Sequence, residues 1–234
     1  NPILLEKNIT NKTVFVIEAS SYQLEYSKLF RSNISMILNI SPDHLDRHKT
    51  VNKYVNAKFK LVKNQSKKDL TILNMSNFYI KRELQLKSFP PKIIKINKKT
   101  NIKFINKVKN KYLITDGNKE NLQFIFAAMK ILKLKKNLLF NTLEKFKGLN
   151  YRQEIIYNSK KLTIINDSKS TSFSSSKSLI RSLNNIYWIV GGLAKKGDVL
   201  ALEKKNSQII RAYIFGKDKN FFINKLKKII RYES

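Results

Sequence analysis

The sequence predicts an α/β protein of two domains, each a mostly parallel sheet flanked by helices. Three observations point there. Short apolar runs alternate with stretches of helical periodicity, as when strands return to one sheet through helices. After Gly148 the alternation restarts, which sets a boundary between domains at 1–148 and 149–234. Charged and polar residues gather where the apolar runs stop, as they do at the strand ends of an open α/β sheet.

The elements follow in order. Residues 13–18 read as a buried strand, because Val14, Phe15, Val16 and Ile17 form an unbroken apolar run rich in strand-forming side chains. Residues 34–40, 69–74 and 92–96 share that character, with helical periodicity over 22–30, 51–62 and 77–86. Residues 102–104 and 112–115 read as a small hairpin around a turn at 107–111. Helices are expected at 118–132 and 137–146. Past Gly148, residues 153–157 and 162–166 read as strands about a turn at 158–161, and a Ser-rich helix covers 171–183. A strand at 186–190 stops at Gly191-Gly192. A helix at 200–209, a strand at 211–215 and a helix from Phe221 complete the series.

Composition narrows the function classes. At 234 residues and 42% hydrophobic content the chain has ample material for a core. No run approaches the roughly 18 apolar residues of a membrane span, and no secretory signal pattern opens the sequence. Cysteine is absent, which removes disulfides, thiolate nucleophiles and cysteine-ligated metals. These facts favour a soluble cytoplasmic protein. The net charge of +31 raises a nucleic-acid reading. Against it, only 7 of 47 basic residues are Arg, the side chain best suited to forked phosphate contacts. The lysines are spread along the chain in company with abundant Asn and Ile, all encoded largely by A/T-rich codons. Compositional drift is favoured over a specific nucleic-acid surface, and weak nonspecific binding follows from the charge either way.

The densest chemistry lies at two run ends. The first run delivers Glu18 into a polar turn with Ser20, Ser21 and Gln23; the second delivers Asp43, His44 and Asp46. Oxygen and imidazole donors converging there would suit a hard divalent cation carrying a phosphate. Plainer readings exist for each. Glu18 can be an exposed strand-end carboxylate, His44 a turn cap, and Ser20 or Ser21 a helix N-cap. Lys58 shares a helix face with Tyr54, four residues earlier. Its plain reading is a solvated lysine among many.

Seven segments carry a resemblance. Glu18-Ala-Ser-Ser-Tyr-Gln-Leu-Glu25, Asn39-Ile-Ser-Pro-Asp-His-Leu-Asp-Arg-His48 and Tyr54-Val-Asn-Ala-Lys58 resemble successive motifs of the Mur ligase family. Asn118-Lys-Glu-Asn121, Tyr151-Arg152, Asn166-Asp-Ser-Lys-Ser-Thr171 and Gly191-Gly-Leu-Ala-Lys195 continue the pattern in the same order. Any one alone is weak; their order over nearly the whole chain is specific. The resemblance implies ATP-dependent ligation in peptidoglycan precursor synthesis. Its implied partners are ATP, UDP-N-acetylmuramoyl-L-alanine and D-glutamate, with Mg2+ or Mn2+ as the metal, no specific nucleic acid, and a monomeric state. Another Mur ligase, or a ligase of the folylpolyglutamate synthetase kind, is the near alternative.

The resemblance also implies residue roles. Glu18, His44 and Lys58 would hold the metal, with Lys58 carbamylated by carbon dioxide. That reaction needs a neutral amine, which a cation-rich, partly buried setting would favour. Lys60, two residues on, points elsewhere. Asp43 and Asp46 would support the turn and orient His44. Ser20 and Gln23 fall where the family contacts the muramoyl nucleotide. Asn118 and Asn121 fall on the adenine side of the ATP pocket, with helix capping as the plainer role of Asn118. Arg152 would contact the nucleotide at the domain junction, and Asp167 would be the ribose- or metal-side carboxylate presented by the next strand. Lys169, Thr171 and Lys195 would surround the amino acid, a cation and a hydroxyl holding its carboxylate. His44, Lys58 and Lys195 are the catalytic candidates. Two positions depart from the family's usual His: Gly117 before Asn118, and Tyr151 before Arg152. The implied architecture has three domains, of which this chain would be a fragment: part of a central ATPase domain and part of an amino-acid-binding domain. A Gly-x-x-Gly-Lys-Thr/Ser phosphate loop is not in the sequence, so the resemblance implies no ligation by the chain alone.

Overall fold

A computed structural model describes residues 9–113, 115–195, 198 and 208–234. Ile34–Ile37 (β1), Leu70–Asn74 (β2) and Lys92–Ile96 (β3) form a parallel sheet in chain order, with Ile34 opposite Leu70 and Leu70 opposite Lys92. Parallel neighbours need a crossover. Val51–Lys63 (α3) supplies it between β1 and β2, and Phe78–Leu86 (α4) between β2 and β3. Each helix starts on a side-chain cap: Thr50 accepts from the Lys53 N–H and Asn77 from the Ile80 N–H.

Alternation along the strands then divides the core. Leu73 packs with Tyr54, Val55, Phe59 and Val62 of α3 and Ile80 of α4. Its neighbour Ile72 faces the other way, onto Phe124 and Ala127 of Asp116–Ile131 (α6). The opposite flank of α6 presents Leu122, Phe126 and Met129 to Ile105 of Ile102–Ile105 (α5) and Leu143 of Lys136–Lys145 (α7). One helix therefore serves two cores. A buried polar knot fixes the sheet's lower end. Gln65 donates to the carbonyls of Ser32 and Leu70 at 2.9 and 3.0 Å and accepts from the hydroxyls of Ser35 and Thr71.

Farther along, Glu154–Asn158 (β4) and Thr163–Asn166 (β5) form an antiparallel ribbon. Ile186–Gly191 (β6), Ile209–Phe215 (β7) and Tyr232–Glu233 (β8) form a second parallel sheet, again in chain order. Phe173–Ser182 (α8) and Lys219–Leu226 (α9) pack on it through Phe173, Ile180, Phe222 and Leu226 against Ala212 and Ile214. The class is the expected one, α/β, with two parallel sheets flanked by helices.

Several elements differ from expectation. Residues 13–18 belong to no ladder, and Val16 is 95% exposed. Strand-forming composition is not enough without a neighbour to bond, and among the described residues none pairs with this segment. The helix expected over 22–30 is only Ser21–Tyr26 (α1). The hairpin over 102–115 is replaced by α5 and a 3-10 turn, Lys111–Leu113. There Asn101 takes a left-handed φ of 60°, and Ile105 is drawn into the α6 cluster instead of a ladder. The helix expected at 200–209 falls mostly outside the described residues, and Ile209 opens β7. No helix among the described residues is long and apolar enough to cross a membrane.

Candidate functional site

Beyond β1 the chain turns through His44, whose φ of 54° is left-handed, into the single turn Leu45–His48 (α2). That backbone is unfavourable for a residue with a Cβ. Asp43 offsets the strain by accepting the His44 N–H at 2.6 Å. His48, only 2% exposed, closes the turn: its Nε2 meets Ser21 Oγ at 3.0 Å, and its ring lies 5.6 Å from Tyr22 and 5.3 Å from Tyr54. Tyr22 also meets the His44 ring edge-on at 5.0 Å. These contacts fix α1, α2 and α3 to one another. Nothing in the local spacing marked His48 as buried.

Asp43 is the centre of charge. Its Oδ1 lies 2.5 Å from Lys195 Nζ and 3.7 Å from His44 Nδ1. It also acts on Lys58, which projects from α3 with its ammonium 5.2 Å from the Tyr54 ring. Burial pulls the Lys58 pKa below its ordinary value, opposed first by Asp43 and then by Glu18. Burial, then Asp43, pushes the Tyr54 hydroxyl up to about 12. Glu18, Asp43 and Lys58 thus share one neighbourhood, with His44 joined through Asp43. The expected cation-rich setting of Lys58 is corrected: carboxylates face it, and burial is what lowers its pKa. Lys60 does point elsewhere, its Nζ donating to the Glu25 carbonyl at 2.5 Å. Among the described residues no three His, Cys, Asp or Glu side chains gather as a metal-holding group.

Ser20 and Gln23 form a capping box at the start of α1. Gln23 Oε1 accepts the Ser20 N–H at 2.8 Å, and Ser20 Oγ accepts the Gln23 N–H at 3.3 Å. The plainer capping role is therefore realised. Asp46 lies in the first turn of α2.

A second cluster surrounds the start of α6. Thr115, not Asn118, caps that helix. Asn118 Nδ2 instead donates to the Tyr112 carbonyl at 2.8 Å and to Gln153 Oε1 at 3.3 Å, and Asn121 follows on the same face. Gly117 N–H donates to Ser178 Oγ of α8 at 2.8 Å, and a Cβ at 117 would sit 3.1 Å from that oxygen. Close approach of α8 is a local reason for glycine there. The segment entering β4 is tightly wound, with Tyr151 at φ 62° and Gln153 at φ 50°. Asp167 Oδ1 accepts the Gln153 N–H at 3.1 Å, while its Oδ2 is buried without a hydrogen-bond partner. Burial pushes the Asp167 pKa up, against Ser170, the Gln153 N–H and Arg152. Arg152 is exposed, and so are Lys169, whose N–H donates to the Tyr151 carbonyl at 3.0 Å, and Thr171.

Lys195 projects from a pinned loop. A Cβ on Gly191 would fall 1.9 Å from the Phe215 carbonyl oxygen, so only glycine fits. Gly192 N–H donates to that carbonyl at 3.1 Å, and Ala194 N–H donates to Asp218 Oδ2 at 2.8 Å. Of the candidates past Gly148, Lys195 reaches the Asp43 surface, whereas Arg152, Asp167 and Lys169 gather around Tyr151 and Gln153.

Two parallel sheets that deliver polar loops from strand ends define the open α/β class. The Mur ligase middle domain matches residues 2–139, and the chain belongs to the Mur ligase family, a family of ATP-dependent ligases. A curated relative from Rickettsia bellii, named UDP-N-acetylmuramoylalanine–D-glutamate ligase, is 31% identical over 99% of this chain and 55% of its own length. One of the same name from Fusobacterium nucleatum is 35% identical over 91% of this chain and 52% of its own length. The chain spans about half the length of these relatives. MurF ligase from Thermotoga maritima in complex with ADP superposes on 92% of this chain and 56% of its own, with a TM-score of 0.68. MurF from Acinetobacter baumannii covers 86% and 50% with a TM-score of 0.66. Both are 13% identical, a likeness of fold alone.

Proposed function

We propose that the chain supplies the metal-, ATP- and amino-acid-handling parts of a ligase that joins D-glutamate to UDP-N-acetylmuramoyl-L-alanine. The observation that carries this reading is the approach of Lys58 and Lys195, one from each side of Gly148, to Asp43. The names of the curated relatives support the choice of substrates. In the reaction a carboxylate takes the γ-phosphoryl group of ATP, and the amine of D-glutamate attacks the resulting acyl phosphate. A C–N bond forms, the C–O bond to phosphate breaks, and phosphate leaves. Negative charge builds at each stage, and two lysines that each approach Asp43 are suited to neutralise it.

On this reading residues 1–148 belong to an ATPase domain and 149–234 to an amino-acid-binding domain. Lys195, with Lys169 and Thr171, holds the amino acid. Asn118, Asn121, Arg152 and Asp167 face ATP, and the buried Asp167 Oδ2 is an acceptor that a ribose hydroxyl would satisfy. Ser20 and Gln23 reach the muramoyl nucleotide from the α1 cap. Glu18 and His44 are suitable donors for Mg2+ or Mn2+, and among the described residues no third His, Cys, Asp or Glu completes a metal-holding group with them. A carbamate on Lys58 would supply that donor, and the half-buried amine loses its proton more readily than an exposed lysine. When bound, the cation would offset the charge of the transferred phosphoryl group.

The test is a chimera in which this chain replaces the matching half of the Rickettsia bellii relative. Phosphate release should require ATP, UDP-N-acetylmuramoyl-L-alanine and D-glutamate together. Preference for a different amino acid would replace the substrate assignment, and a folded, ATP-binding chimera without turnover would remove it.

A further inference from the structure

Asp43 does more in this fold than steady its neighbour. Its carboxylate already carries the His44 N–H bond, yet Oδ1 also takes the Lys195 ammonium at 2.5 Å. The two ends are held from opposite sides: Asp43 by the left-handed turn at His44, Lys195 by a loop pinned to Phe215 and Asp218. We propose that Asp43 is an internal stand-in for substrate. In the unliganded chain it occupies the cation that receives the amino acid's carboxylate, and the amino acid must displace it to bind. This inference rests on the amino-acid role of Lys195 given above.

The chemistry of the exchange is balanced, one carboxylate leaving the ammonium as another arrives. Exposure favours it. The Lys195 and Asp43 side chains are 27% and 33% exposed, so a small carboxylate reaches the pair from solvent. An ion pair this open contributes little to stability and is easily exchanged. A buried pair would resist displacement. After exchange Asp43 keeps its bond to the His44 N–H and still faces Lys58, so it is not left uncompensated.

Two measurements on the 234-residue chain test the proposal. Carbodiimide condenses a touching carboxylate and amine into an amide with loss of water, and peptide mapping should find the Asp43–Lys195 cross-link. It should vanish in Asp43→Asn. An NMR titration with D-glutamate, followed at the Ala194 and Lys195 amides, should show tighter binding in Asp43→Asn and none in Lys195→Met. The gain should be about tenfold if the internal pair is closed nine-tenths of the time. Absence of the cross-link, or D-glutamate binding in Asp43→Asn no tighter than in the unmodified chain, overturns the stand-in. A cross-link with no D-glutamate binding by either chain overturns it by a different route, because the amino-acid role of Lys195 then fails while the pair itself stands.

Discussion

Arg31 Nε donates to Asp69 Oδ2 at 2.7 Å, tying the approach to β1 to the approach to β2. A second guanidinium nitrogen reaches Oδ1 at 3.2 Å, and Ser66 adds its N–H at 2.6 Å and its hydroxyl at 3.0 Å. The Arg31 hydrogen bond first, then the Ser66 N–H, hold the Asp69 carboxyl down to about 2 from an ordinary 3.8. A depressed carboxylate stabilises the fold fully above its unfolded value, and that stability is lost as pH falls through the folded one. Urea midpoints should therefore drop between about pH 4 and pH 2, and Asp69→Asn should flatten that part of the profile while lowering Tm by roughly 5 °C at neutral pH. An unchanged acid limb in the variant would show that other carboxylates set it.

Lys58 and Lys60 provide a paired test two residues apart on α3. Because burial lowers the Lys58 pKa, its amine is neutral at lower pH than those of exposed lysines. With 13C-bicarbonate near pH 8, one carbamate resonance should appear, survive Lys60→Ala and vanish in Lys58→Ala. In the chimera, Lys58→Ala should cut turnover by about 100-fold or more, with partial rescue by small carboxylates, whereas Lys60→Ala should change little. Equal losses from the two substitutions would deny Lys58 a special place.

Gly117 should give opposite answers in two backgrounds. Alanine in a helix is worth about 1 kcal/mol over glycine, but here the added Cβ crowds Ser178 Oγ at 3.1 Å and disturbs the bond that oxygen accepts. Gly117→Ala should destabilise the chain by about 1 kcal/mol when Ser178 is present. After Ser178→Ala the nearest atom is the Cβ of residue 178 at 3.5 Å, an ordinary contact, and the same change should stabilise. Denaturant titration of the four-variant cycle measures the coupling. The same sign in both backgrounds would mean that α8 gives way freely.

Periodicity made the helices legible: α3 spans Val51–Lys63 against an expected 51–62, and α6 and α7 match within two residues at either end. Such patterns are local, so a sequence window contains them. A strand depends on a partner elsewhere in the chain, and residues 13–18 show how composition misleads when no ladder forms. The hairpin over 102–115 failed similarly, because the α6 cluster claimed Ile105. At the site, motif order marked Glu18, His44, Lys58 and Lys195 as residues of interest. The meeting of Asp43 with Lys195 is a tertiary fact with no trace in either residue's neighbours. Burial of His48 against Ser21 is another.

Helix α6 packs Phe124 and Ala127 into one cluster and Leu122, Phe126 and Met129 into another, and its first turn carries Gly117 and Asn118. Fraying of this helix cannot stay local, since loosening it strips partners from both sides at once. The segment from β2 through α7 should therefore exchange its amide hydrogens as one cooperative unit. A ligand gripping only the first turn of α6 would slow exchange as far away as Leu143, turning a contact at one helix end into rigidity across two cores.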